Sequence, residues 1–147
     1  MDLVTTPLAD IAPRVNAARA AYDRGVTKPL AWRVATLERM RDLLVEREDR
    51  FLDALAADFG KPRAEAWATE IGFSVGDINH TIANLPLWSR AEKVPTPVAF
   101  RPGSSWVVPE PVGVACVIAP WNYPVQLLLL PMVAAISAGN AVVRSEE

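Results

Sequence analysis

The stretch that most constrains the fold is Val112-Gly113-Val114-Ala115-Cys116-Val117-Ile118-Ala119, a nearly unbroken apolar run between Pro111 and Pro120. Alternation would give a strand with one wet face; a continuous run of this length is predicted to be a strand buried on both faces, as in a parallel sheet. Pro120-Trp121-Asn122-Tyr123-Pro124 then reads as a stiff turn. A helix is predicted after it, with Pro131 in its first regular turn and a close at Gly139-Asn140, and Ala141-Val142-Val143 begins another strand. Strand, helix and strand make one βαβ unit, which requires a right-handed crossover and further sheet alongside.

Upstream the texture is different. Pro7 follows Thr6, a good N-cap, and Leu8, Ile11, Val15, Ala18 and Tyr22 recur at helical spacing until Gly25. A second helix is predicted from Thr27 to Gly60, with Pro29 in its first turn and Leu30, Val34, Leu37, Leu44, Phe51 and Leu55 inward. Arg33, Glu38, Arg41, Glu46, Arg47 and Glu48 form its opposite, solvated face. A third helix after Lys61-Pro62 turns Trp67, Ile71, Ile78, Ile82 and Leu85 inward. From Lys93, Val94, Val98 and Phe100 lead through Arg101-Pro102-Gly103-Ser104 to Trp106-Val107-Val108, a hairpin whose prolines confine it to edge positions. The expected class is α/β: N-terminal helices over 1–92, a β-hairpin over 93–111, and over 112–147 the first βαβ unit of a dinucleotide-binding domain, incomplete as it stands.

Charge and cysteine content exclude several function classes. A net charge of -2 without any Lys/Arg run offers nothing to gather nucleic acid. The longest uninterrupted apolar run, Leu127 to Ile136, is far short of the roughly 20 residues of a membrane span. Met1 to Arg14 has no apolar core of the kind a secretory signal carries, and Cys116, the only cysteine, has no partner for an intramolecular disulfide. A reducing, cytoplasmic setting is expected.

Ligands of open α/β sheets sit at the carboxyl ends of the strands, which singles out the turn Pro120–Pro124. Asn122 has an amide that can donate two hydrogen bonds, and on a rigid turn such an amide suits an oxyanion. From spacing alone the plainer reading stands beside it: Asn122 caps the turn and Trp121 packs as core. His80, a lone histidine between apolar positions, reads as structural or surface-exposed rather than as a ligand or catalyst.

Glu110-Pro111-Val112-Gly113-Val114, Ala119-Pro120-Trp121-Asn122-Tyr123-Pro124 and Pro131-Met132-Val133-Ala134-Ala135-Ile136-Ser137-Ala138-Gly139-Asn140-Ala141-Val142-Val143 together resemble the aldehyde dehydrogenase superfamily. Ala18–Tyr22, Leu55–Pro62 and Leu85–Trp88 resemble its class 3-like, fatty-aldehyde branch. The resemblance runs from about Val15 to Val143 and implies oxidation of an aldehyde to a carboxylic acid with NAD or NADP, by a homo-oligomer at full length. It implies that Asn122 holds the aldehyde oxygen as it becomes an oxyanion, that Ala119, Pro120 and Trp121 lie along the cofactor, and that Tyr123 lies beside the substrate. The family mechanism also uses a cysteine thiolate as nucleophile and a glutamate that activates water. Cys116 sits inside the expected buried strand, too early for that nucleophile, and reads as a small buried thiol. The nucleophile, the glutamate and the glycine-bearing phosphate turn are expected beyond residue 147, so the isolated chain is expected to be inactive. The alternative expectation is a non-catalytic remnant that binds a full-length relative.

The ending departs from the pattern. The family continues with an apolar residue and then Lys-Pro-Ser-Glu, the lysine binding the adenosine ribose, whereas this chain reads Arg144-Ser145-Glu146-Glu147. Either Arg144 takes the place of that lysine on the cofactor, or the tail has left the family frame, as a frameshifted or prematurely terminated gene would produce.

Overall fold

A computed structural model describes residues 7–144; Thr6, expected as an N-cap, and Ser145 to Glu147, where the ending departs from the pattern, lie outside them. The chain forms α1 (Leu8–Asp23), α2 (Leu30–Glu46), α3 (Glu48–Phe59), a short α4 (Arg63–Ala66), and α5 (Gly72–Trp88). A five-residue π-turn, Trp67–Ile71, joins α4 to α5. After these come β1 (Glu92–Val94), β2 (Ser105–Val107), β3 (Val114–Val117), α6 (Pro124–Ser137) and β4 (Ala141–Arg144).

The helix expected from Thr27 to Gly60 is two helices. At Arg47 the backbone turns to φ -111°, ψ 16°, ending α2 and starting α3. Leu37 and Leu44 on α2 and Leu52 and Leu55 on α3 all enter one core on the two sides of the break. Gly60 ends α3 in the left-handed conformation, as an achiral C-terminal residue can.

The core lies where α2, α3, α5 and α6 meet: Leu37, Leu44, Leu52, Leu55, Ala66, Ile71, Ile78, Leu85, Val133 and Ile136 are buried together. Burying an aliphatic side chain such as Leu37 or Ile78 contributes about 1.5–3 kcal/mol. Trp67, expected inward, is 48% exposed, because the π-turn rotates the helix around it; its indole Nε1 donates to Glu48 at 3.0 Å. On α1, Tyr22 is half-buried and its hydroxyl donates to the Pro111 carbonyl at 2.8 Å, whereas Ile11 stays exposed.

The βαβ unit is present. β3 and β4 pair in parallel, with Val114 opposite Ala141 and Val117 opposite Arg144, and α6 is the crossover. The helix starts earlier than expected: Pro124 occupies its first turn, and Pro131 sits in its interior. The expectation that β3 is buried on both faces fails. Val117 is buried, but Cys116 is exposed, Ile118 is 77% exposed and Val112 90%. Among the described residues β3 has β4 as its one strand neighbour, with α1 and α6 against the pair. Two strands cannot shield both faces of an apolar run.

The hairpin is shorter than its apolar residues suggested. β1 and β2 pair antiparallel, Glu92 with Val107 and Val94 with Ser105. Val98–Phe100, expected as strand, forms a 3₁₀ turn, because Pro95 and Pro97 lack the N–H groups that a longer ladder needs.

Candidate functional site

The residues singled out by sequence converge on the carboxyl ends of the parallel pair. Ala119, Pro120, Trp121, Asn122 and Tyr123 follow β3, and Arg144 closes β4 opposite Val117. Asn122 is exposed, and Trp121 is 50% exposed rather than packed as core. The N-cap position of α6 is Tyr123, and no side chain caps from there. His80 is remote from this cluster: it is exposed on α5, with its ring against Trp88 at 5.7 Å between centroids.

What holds the turn is a residue that the sequence reading did not single out. Glu70, in the π-turn, is fully buried. Its Oε2 accepts from the backbone N–H groups of Val125 and Gln126, at 2.9 and 3.1 Å. Its Oε1 accepts from Lys61 Nζ at 2.6 Å. A buried carboxylate is costly unless its charge and lone pairs are both met. Here an ammonium meets the charge, and the first free N–H groups of α6 take the other oxygen. The helix has no acidic residue of its own in its first turn, so Glu70 supplies the negative group that the positive end of the helix favours.

Lys61 extends the same support to the turn. Its ammonium lies 4.1 Å from the centre of the Tyr123 ring and donates to the backbone carbonyl of Asn122 at 3.4 Å. The Lys61 side chain is only 10% exposed, so this cation–π contact is formed largely away from water, where it is strongest. One ion pair thus grips the backbone on both sides of Tyr123.

The other end of α6 is anchored by a complementary charge. The helix has no basic residue in its last turn; Arg33 of α2 donates from Nη1 to the Ser137 carbonyl at 3.1 Å and from Nη2 to Lys28 O at 2.6 Å. Burial lowers the Arg33 guanidinium from its ordinary pKa, and its Nε is buried without a partner. Arg33 therefore does not belong to the solvated face assigned to it from its charge pattern. Gly139 follows at φ +91°, and a Cβ there would come within 2.8 Å of Arg33 Nη2. Thr27 Oγ1 donates to Gly139 O at 2.7 Å, and Asn140 bridges Gly113 N–H (3.0 Å) to Ala135 O (3.1 Å).

A signal for Glu70 was present. Glu70, Ser74, Ile78, Thr81 and Leu85 follow one another at steps of three and four and are all buried. A carboxylate in a buried helical stripe requires a partner. The identity of that partner, nine residues upstream in the loop after α3, could not be read from spacing.

The chain matches the aldehyde dehydrogenase family model over residues 5–145. Aldehyde dehydrogenase family 3 member B1 of Homo sapiens is 38% identical over 137 residues, covering 93% of this chain and 29% of the relative. The "dimeric NADP-preferring" aldehyde dehydrogenase of Canis lupus familiaris is 37% identical, covering 92% of this chain and 30% of the relative. Among solved structures, substrate-bound AldH of Staphylococcus aureus superposes with a TM-score of 0.87 at 33% identity, covering 91% of this chain and 30% of that one. The chain therefore spans less than a third of the length of these relatives.

Proposed function

This chain belongs to the aldehyde dehydrogenase family, and from that premise we propose that it supplies the oxyanion-binding turn and one wall of the cofactor site of an enzyme that oxidises aldehydes to carboxylic acids with NAD or NADP. The observation that carries the reading is the exposed Asn122 on a turn whose two flanks are held by the buried Glu70 and its partner Lys61. Because Glu70 takes the first-turn amides of α6, the Asn122 amide is not consumed in capping. It donates from Nδ2 to the aldehyde oxygen as negative charge develops there, with little reorganisation. Tyr123 lies beside the substrate.

The residues present fit one edge of a dinucleotide. Ile118 and Trp121 are exposed apolar groups on either side of Ala119 and Pro120, suited to the flat face of a ring, and Arg144 sets a cation at the end of the neighbouring strand. The chemistry that bound NAD(P) supplies is hydride acceptance. Cys116 lies upstream of the turn within β3 and is not the nucleophile in this reading. The thiolate and the general base belong to the more than two thirds of the relatives' length outside the stretch matched here. In the same reading the segments 1–92, 93–111 and 112–147 are a helical support, an arm and the start of the dinucleotide-binding unit. The complete enzyme is a cytoplasmic homo-oligomer, a setting supported by the lone cysteine and by the dimer named in the Canis lupus familiaris relative. Among the described residues no helix is long and apolar enough to cross a membrane.

The test has two parts. The 147-residue chain with aldehyde and NAD(P) is expected to form no NAD(P)H above a heat-killed control. In the chain extended to the length of its relatives, Asn122→Ala is expected to lower kcat by about 100-fold or more, with aldehyde binding changed much less. Unaltered turnover in that variant would return Asn122 to a structural role.

A further inference from the structure

We infer that Lys61 and Glu70 are positioning residues for the Asn122 turn: together they hold its backbone in register with the carboxyl end of β3. The inference rests on the function proposed above and deepens it by giving these two side chains a role of their own.

Three features carry it. The pair is placed by separate elements, Lys61 by the loop after α3 and Glu70 by the π-turn, so it joins the helical half of the chain to the βαβ half. Single-turn π insertions add one residue to a helix and swing the next side chains round, and they recur at functional sites. This one brings Glu70 and Ile71 inward together, both buried, while leaving Trp67 at the surface. Second, among the described residues the side-chain contacts of the pair, apart from their mutual bond, go to the turn or to the first turn of α6: Val125 N, Gln126 N, Asn122 O and the Tyr123 ring. A pair serving only the core would have no reason to direct all four of these contacts to the turn and the helix start that follows it. Third, the turn has few other means of staying in place. Asn122 is exposed, Trp121 is half exposed, and Tyr123 caps the helix with no side-chain bond. An oxyanion donor acts only if its geometry exists before charge develops, and this pair provides that geometry from behind the site without touching substrate.

The experiment is amide hydrogen exchange on the 147-residue chain, resolved by residue, with Glu70→Gln, Lys61→Met and Lys61→Arg. Glu70→Gln weakens the charged acceptor of two N–H groups, so exchange at Val125 and Gln126 is expected to quicken by about 10- to 100-fold, with protection in α2 and in the Ile78–Leu85 stretch of α5 kept. Lys61→Met is expected to do the same to a smaller extent, and Lys61→Arg, which restores the cation, to recover most of the protection. A uniform loss of protection across all helices would make the pair a general stability element and overturn the inference, as would unchanged exchange at Val125 and Gln126 in both Glu70→Gln and Lys61→Met. If Glu70→Gln does not fold, Lys61→Met against Lys61→Arg decides. In the chain extended to the length of its relatives, Lys61→Met is expected to lower kcat about tenfold, with KM little changed, and Lys61→Arg to rescue it. If Asn122→Ala lowers kcat and Lys61→Met does not, the positioning role fails while the proposed function stands. If Asn122→Ala has no effect, it is the function that fails, and the exchange data still judge the pair.

Discussion

Replacing Asn140 by alanine tests whether the junction between α6 and β4 is held by one side chain. Asn140 is 6% exposed. Its Oδ1 is the acceptor for the N–H of Gly113, itself buried just before β3, and its Nδ2 donates to Ala135 O. In Asn140→Ala the Gly113 N–H is left buried without an acceptor, which costs about 1–3 kcal/mol. Ala135 O is affected less, because it still accepts from the backbone N–H of residue 140 at 3.0 Å; losing its second donor removes about 0.5–1.5 kcal/mol. The sum, about 1.5–4.5 kcal/mol, is a large part of the stability of a domain. Urea unfolding followed by far-ultraviolet circular dichroism is expected to show the midpoint falling by about 0.7–2.2 M with an unchanged slope, for a slope near 2 kcal/mol/M. Asn140→Asp is not expected to rescue it: the carboxylate can still accept from Gly113 but cannot donate, and it adds negative charge beside the last carbonyls of α6. A midpoint shift under about 0.3 M in Asn140→Ala would refute the reasoning. It would mean that Gly113 finds another acceptor and that the two strands are joined by their ladder alone.

Two further outcomes follow from other parts of the molecule. Arg33→Met, which removes the donors to Ser137 O and Lys28 O but also relieves the buried Nε, is expected to cost roughly 1–2 kcal/mol after allowing for partial exposure. Differential scanning calorimetry should show a fall in Tm of about 3–8 °C, and an unchanged or raised Tm would show that the desolvation of the guanidinium outweighs its bonds. The apolar residues left in the open, with Val112 90%, Val98 and Ile118 77% and Phe100 71% exposed, are expected to make the isolated chain self-associate. Size-exclusion chromatography at rising concentration should show species larger than a monomer, and a concentration-independent monomer with sharp unfolding would count against this.

Local chemistry and periodicity determined several things by themselves. Helical spacing located the inward residues Leu37, Leu44, Leu55, Ile71, Ile78 and Leu85, all of which are buried, because i, i+3 and i+4 neighbours share a face whatever lies beyond. The apolar run bounded by Pro111 and Pro120, followed by a turn and a helix, required a parallel partner, and β4 is that partner. The family was legible from contiguous residues alone. The tertiary structure decided whatever depended on partners distant in sequence. Arg47 is an ordinary helix-forming residue, and nothing local marks the break that separates α2 from α3 there. Cys116 and Ile118 looked buried because their run was apolar; they are exposed because burial is set by what packs alongside. Charge pattern puts Arg33 on the surface and gives Glu70 no partner, yet they hold the two ends of α6. Periodicity tells which way a side chain points along its own helix, but it carries no information about which carbonyl or N–H of another element arrives there to meet it.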